Sequence, residues 1–215
     1  MTFTTFIFDF DGTLADSKEC SVRATQTAFQ AFGLTVPTVE QIEFYMGIPI
    51  EHSFKEMSDQ PLTPEEFEQL LILFRQKYQA LEADTLHVFA GIPEALAALK
   101  AQHKKLFVVS SKKSNVLLRN LEMLAISEYF TEVIGSDKVS RFKPHPDGIL
   151  DVLQRYQIAN EQAVYIGDAI FDLQMAHAAD VAACAVTWGS HSPEALLAEK
   201  PMFVVEKVAE LTQIG

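Results

Sequence analysis

Basic residues are scarce in this chain. Against 29 Asp and Glu stand 17 Lys and Arg, a formal charge of −12 over 215 residues. A protein that grips nucleic acid without regard to sequence needs clustered Lys and Arg to displace the counterions of the phosphates, so this balance excludes that class. A small anionic substrate stays open, because a few local cations decide that. Cysteine is scarcer still: Cys20 and Cys184 lack CxxC or Cys/His spacing. That argues against a disulfide framework or a zinc site, and the thiols read as reduced cysteines of a cytosolic protein. Long hydrophobic runs are also missing. Phe3 to Phe10 is apolar but Asp9 and Asp11 interrupt it, no basic segment precedes it, and it is too short for a secretory leader. Nothing approaches the ~18 apolar residues that cross a bilayer. The expectation is a soluble, cytoplasmic protein with no nucleic-acid or membrane partner. Internal repeats and low-complexity tracts are absent too, and the six histidines show no metal-ligand spacing.

What the chain does have is apolar material, 48% of its residues, enough for one large domain or for a core with a smaller insert. Thr4–Phe10, rich in β-branched and aromatic residues, predicts a buried strand. Asp11-Gly12-Thr13 ends it. From Ser17 to about Phe32 the apolar spacing is helical, with Gly33 as its stop. Asp16 and Ser17 suit the cap of that helix. Further helices are expected near Thr38–Tyr45, Ile50–Met57 and Thr63–Leu81, the last opened by Thr63-Pro64-Glu65-Glu66. No convincing strand is readable between 15 and 88.

After Gly91 the pattern alternates. Helices are predicted at Ile92–Gln102, Ser114–Leu124, Pro146–Tyr156 and Ile170–Ala178. Strands are predicted at Lys105–Val109, Glu132–Ile134, Ala163–Ile166 and Val181–Val186, and a last short strand and helix at Met202–Gln213. Alternation of this kind implies an α/β fold with a parallel, Rossmann-like sheet covered on both faces. The continuous apolar runs at 106–109 and 163–166 suit central parallel strands. The expected organisation is an α/β core at 1–14 and 89–215 with an all-helical insert at 15–88.

In open parallel sheets ligands bind beyond the carboxyl ends of the strands. Four such ends carry Asp9 and Asp11, Ser110 and Ser111, Lys143 in the loop after the third, and Asp168 with Asp172 four residues on. Several carboxylates in one crevice repel unless a cation sits among them, and all-oxygen ligation suits Mg²⁺. Lys143 supplies a point charge for a phosphoryl oxygen. Ser110 adds a hydroxyl, and the N–H groups of Ser111 and Lys112 precede a helix. This set points to phosphoryl transfer. Asp9 and Asp11, two apart in extended chain, lean to the same side. Asp9 is expected to attack phosphorus and Asp11 to give and take the leaving-group proton. Asp168 is expected to hold the metal, with Asp172 supporting it. Lys112-Lys113 reads as a solvated helix start, and Gly47-Ile48-Pro49 as a loop that either meets substrate or simply turns.

Asp9-Phe10-Asp11-Gly12-Thr13, Ser110, Lys143-Pro144 and Gly167-Asp168 with Asp172 resemble, in order, the four motifs of the haloacid dehalogenase-like hydrolases. The helical insert resembles the cap of the subgroup with phosphoglycolate phosphatases and β-phosphoglucomutases, with Phe89-Ala90-Gly91-Ile92-Pro93 where that cap rejoins the core. Position 111 carries Ser where related phosphatases often have Asn. The resemblance implies an Mg²⁺-dependent aspartyl-phosphate mechanism on a small phosphorylated metabolite. It also implies metal ligation by the Asp9 carboxylate, the Asp11 carbonyl and Asp168. Phosphoglycolate is the substrate its cap class suggests; a pyrophosphatase, a phosphomutase and a non-catalytic binding protein are the alternatives. A dehalogenase is disfavoured, because a halide leaving group gives an acid at position 11 no task.

Overall fold

The computed structural model describes residues 2–214. Strand β1 (Thr5–Phe8) is followed by a two-residue strand β2 (Ala15–Asp16) and the helices α1 (Lys18–Ala31), α2 (Val39–Tyr45), α3 (Ile50–Met57) and α4 (Pro64–Thr85). A second two-residue strand, β3 (His87–Val88), leads into α5 (Ile92–Ala101), β4 (Lys105–Val109), α6 (Ser114–Met123) and β5 (Glu132–Ile134). Then come α7 (Asp147–Tyr156), β6 (Ala163–Gly167), α8 (Ile170–Ala178), β7 (Ala182–Val186), α9 (Pro193–Ala198), β8 (Phe203–Val205) and a closing 3-10 helix, Val208–Gln213.

Six strands form one sheet in the order β5-β4-β1-β6-β7-β8, and every pairing in it is parallel. This is the α/β, Rossmann-like core the alternation predicts. β1 lies in the middle, hydrogen-bonded to β4 on one side and β6 on the other, so the end of β1 opens at the centre of the crevice. Side chains alternate across the sheet as the strand period requires. Phe6, Phe8, Leu106, Val108, Val164 and Ile166 face α5 and α6 on one side. Ile7, Phe107, Val109 and Tyr165 face α7 and α8 on the other.

Helices α1, α3 and α4 close over a separate hydrophobic cluster that includes Ala24, Phe29, Phe54, Leu70, Phe74 and Tyr78. Their ends are marked in the sequence. Thr38 and Gln41 form a reciprocal capping box on α2, as do Thr63 and Glu66 on α4, where Pro64 takes the first position. Asp16 accepts from the Lys18 N–H at the head of α1, and Gly33, at φ +74, follows the end of α1.

Four expectations need correction. The segment 15–88 does contain strand: β2 and β3 pair antiparallel, Ala15 with Val88 and Asp16 with His87. Two residues are too few to show alternation. Helix α4 runs to Thr85 instead of Leu81, because Glu82 and Thr85 are buried and no Gly or Pro stops the chain. β1 ends at Phe8, short of Phe10, since the chain turns at Asp11–Thr13 to bring Gly12 N–H to the Ala15 carbonyl. Helix α9 goes unpredicted, although Ser192 caps it and Pro193 opens it.

Candidate active site

Asp9 follows β1 directly, and its N–H still bonds the Ile166 carbonyl of β6 at 2.9 Å. The sheet therefore fixes its backbone before its side chain does anything. That side chain is 1% exposed. Behind it, on the loop before α7, lies Lys143, with Nζ 2.8 Å from Asp9 Oδ1 and 2.6 Å from Asp172 Oδ1. The contact with Asp9 is close but poorly aligned: Asp9 Oδ1 is one of three buried side-chain polar atoms without a hydrogen-bond partner among the described residues.

Asp172 uses both oxygens inside the protein. Oδ1 accepts from Lys143, and Oδ2 accepts from the Ala169 N–H at 3.0 Å, closing the start of α8. Its carboxylate thus also holds the lysine. Asp168, just past β6, accepts the Thr13 hydroxyl at 2.7 Å on Oδ1 and the Ser190 N–H at 2.7 Å on Oδ2. A Cβ on Gly12 or Gly189 would run into its carboxylate, so those two glycines leave the space it occupies.

Asp9, Asp168 and Asp172 each offer an oxygen, all within 4.8 Å of one another. Burial pushes the Asp9 carboxyl up from 3.8 to about 8; Lys143 pulls against this, and Asp172 and Asp168 add to it. Burial and the Asp172 charge raise Asp168 to about 7, against the Ser190 N–H and the Thr13 hydroxyl. Burial works against the charged form of Lys143, but Asp172 and Asp9 outweigh it and hold the ammonium well above its usual range. The site is thus short of positive charge. Three crowded, buried carboxylates sharing one lysine, with the glycine cradle beside Asp168, fit a hard, oxygen-seeking divalent cation.

Asp11 stands apart from this cluster. Its Oδ1 accepts from Lys112 Nζ at 2.8 Å, and that ammonium also donates to Tyr78 Oη at 2.8 Å and Asn120 Oδ1 at 3.3 Å. Lys112 lies 4.9 Å from the Phe10 ring centroid and 4.6 Å from that of Tyr78. The expectation of a solvated lysine at 112 is wrong: two aromatic faces and three acceptors hold it. Tyr78 belongs to α4, so Lys112 ties Asp11 to the helical body. Ser110 is buried and its hydroxyl accepts from the Lys112 N–H at 3.3 Å. Ser111 donates its hydroxyl to the Gly47 carbonyl at 2.7 Å. This occupies the Ser111 hydroxyl with a contact between the bodies and leaves its N–H as the group to meet an anion.

A cavity of about 450 Å³ opens where the two bodies meet, and Asp9, Asp11, Ser110, Ser111 and the Gly47-Ile48 loop line it. Lys143 and Asp168 lie behind Asp9 rather than on this wall. Two further contacts hold the helical body to the core. Arg119 of α6 forks onto Glu82 of α4 with two bonds of 2.8 Å, and Asn120 adds a third at 2.9 Å. His191 accepts the Ile170 N–H on Nδ1 at 3.3 Å, which leaves Nε2–H to donate to the Phe44 carbonyl at 3.1 Å. Thr13, Lys112, Ser190 and His191 are the participants that motif reading missed. Ser190 was within reach, because it lies just past the carboxyl end of β7, a fifth strand end obeying the same rule as the other four.

Residues 6–186 match the family model described as haloacid dehalogenase-like hydrolase. A pyrophosphatase PpaX from Listeria innocua is 31% identical over 98% of this chain and 95% of its own length. A phosphoglycolate phosphatase from Shigella boydii is 30% identical over 95% of this chain and 89% of its own. The solved structure of a haloacid dehalogenase-like family hydrolase from Streptococcus pneumoniae superposes with a TM-score of 0.86 at 29% identity, covering 98% of this chain and 97% of the other.

Proposed function

The chain belongs to the haloacid dehalogenase-like hydrolases, and from that premise we propose that it hydrolyses a small-molecule phosphate monoester by way of a phosphorylated Asp9. The enzyme is a phosphatase, in line with relatives that carry that name. The observation that carries the mechanism is the division of labour between two aspartates at one strand end. Asp9 is buried against Lys143 and lines the cavity, while Asp11, two residues on, faces the same cavity and is held separately by Lys112.

Asp9 attacks phosphorus, and the bond from phosphorus to the ester oxygen breaks. Asp11 hands its proton to the departing alkoxide. A water then attacks the phosphorus of phospho-Asp9, its proton returns to Asp11, and Asp9 is released with inorganic phosphate. Lys143 keeps its charge throughout and faces the phosphoryl oxygens once Asp9 is esterified. The Ser111 N–H and the Ser110 hydroxyl, itself held by the Lys112 N–H, receive the other oxygens. Asp9, Asp168 and the Asp11 carbonyl would hold Mg²⁺, which when bound offsets the charge between the carboxylates and the incoming phosphoryl group. Residues 15–88 act as the cap, with Tyr78 and Glu82 docking it to the core above the cavity.

Pyrophosphate is the second reading, favoured by the Listeria relative; it uses the same attack with phosphate as leaving group. The test is a panel of phosphate esters and pyrophosphate with Mg²⁺. Release of phosphate is expected, with a phosphate adduct on the Asp9 peptide after acid quench. Silence across the panel removes the phosphatase reading, and an active enzyme whose Asp9→Asn variant still turns over removes Asp9 as the nucleophile.

A further inference from the structure

The wall of the cavity above Asp9 is chiefly apolar: Ile42, Met46 and Ile48 on one side, Phe54 and Phe74 on another, Val116 on the core side. Four cations also line it, and each is already partnered. Lys112 lies 2.8 Å from Asp11 and Lys113 3.0 Å from Glu51. Arg75 reaches Glu51 at 2.8 Å and Glu68 at 3.2 Å. Arg119 pairs with Glu82 at 2.8 Å. Lys112 and Arg119 thus hold sheltered carboxylates, Asp11 at 18% and Glu82 at 7% exposed, while Glu51 and Glu68 are open to water at 36% and 59%.

This matters for the part of the substrate that is not transferred. In pyrophosphate that part is a second phosphate, and in phosphoglycolate it carries a carboxylate. Either would bring an anion against a chiefly apolar wall whose two sheltered cations are engaged. Meeting that anion with Lys112 or Arg119 would leave the sheltered carboxylate of Asp11 or Glu82 without its cation. Volume points the same way. At about 450 Å³ the cavity falls within the ~300–1,000 Å³ that enclose ligands of drug-like size, far more than either small anion fills. The neutral amides of Gln79 and Asn115 also line it and can meet a hydroxyl or carbonyl without a charge.

We propose that the leaving group is an uncharged, predominantly apolar alcohol of ring or medium-chain size. The preferred substrates are accordingly phosphate monoesters of such alcohols rather than phosphoglycolate or pyrophosphate. This rests on the phosphatase reading and adds to it only the chemistry of the released alcohol.

A series with matched alkoxide leaving groups tests it: ethyl, butyl, hexyl and 2-phenylethyl phosphate beside phosphoglycolate and pyrophosphate, each with the full chain and Mg²⁺. The expected result is kcat/KM rising about fourfold per added methylene, the factor for one buried CH₂. Hexyl phosphate, four methylenes longer, should therefore exceed ethyl phosphate by about 250-fold and should also exceed phosphoglycolate. A flat alkyl series, or a preference for phosphoglycolate or pyrophosphate, overturns the proposal while leaving the phosphatase reading intact. Failure to release phosphate from any of the six overturns both. A second variant makes the charge argument separately. Ile48→Lys, on a half-buried loop position and checked for folding by its melting curve, adds an unpartnered cation to the wall. It should shift the ratio of hexyl phosphate to phosphoglycolate at least about tenfold toward the acid, and an unchanged ratio overturns the argument from charge.

Discussion

Replacing Lys143 by Met should destabilise the metal-free protein in a way that depends on pH. Lys143 is 3% exposed and lies between Asp9 and Asp172 at 2.8 and 2.6 Å. Methionine fills a similar volume but leaves two buried carboxylates without their cation. Removing one partner of a buried pair costs about 3–5 kcal/mol. A chain of this length loses about 2–4 °C of Tm per kcal/mol, so the expected fall at high pH is about 6–20 °C. The sign follows from linkage. Asp9 in the folded protein titrates at about 8 and Asp168 at about 7, both above the 3.8 of an unburied aspartate. Between those limits the folded state holds more protons than the unfolded state, so stability falls as pH rises through the window. Loss of the lysine raises the Asp9 value further and extends the window upward. The variant should therefore lie closest to the parent near pH 5, where Asp9 carries a proton, and farthest above pH 8. Melting curves of both proteins in EDTA at pH 5 and pH 8.5 measure this. An equal loss at the two pH values, or none, would refute the view of Lys143 as the buried counter-ion of this cluster.

Other expectations follow from the same geometry. Asp9→Asn should lower kcat by more than about 10³-fold, as removal of a covalent nucleophile does. Asp11→Asn should cost about 10²–10⁴-fold on alkyl phosphates, and much less on 4-nitrophenyl phosphate, whose leaving group needs no proton; equal losses on both would remove Asp11 as the acid. Gly189→Ala places a methyl group against the Asp168 carboxylate, so the Mg²⁺ concentration for half-maximal activity should rise, and an unchanged titration would show that Asp168 has room to move. Chelation with EDTA should stop turnover and Mg²⁺ should restore it; full activity in EDTA would exclude a divalent cation from the reaction.

The sheet and the participants at its strand ends were largely legible in the sequence. β1, β4 and β6 announce themselves as apolar runs, and Asp9, Ser110, Lys143 and Asp168 fall where parallel strands leave their functional groups. Contacts made across the chain were not legible. Lys112 looks solvated when read beside Lys113, because nothing local reveals that the Tyr78 ring will cover it from 34 positions away. Ser111 reads as a phosphate ligand, but nothing local shows that its hydroxyl meets the Gly47 carbonyl of the helical insert and leaves the N–H for that task. Asp172 reads as metal support from its helical spacing to Asp168, but no local pattern shows that its oxygens also hold Lys143 and its own helix start. Periodicity and strand-end position report where a backbone goes, and side chains that bridge two bodies depend on how those bodies dock.

The ribbon of β2 and β3 has a further consequence. Its register, Ala15 with Val88 and Asp16 with His87, brings the exit and the return of the chain side by side. From the standpoint of the sheet, everything from Ser17 to Leu86 is a single hairpin loop with its ends already tied. Closure entropy grows only with the logarithm of loop length, so holding those ends together costs about 2 kcal/mol more than for a six-residue turn. The catalytic sheet can thus carry a large, independently cored attachment at little thermodynamic expense. The attachment can also vary in sequence and size without disturbing the strand that presents Asp9.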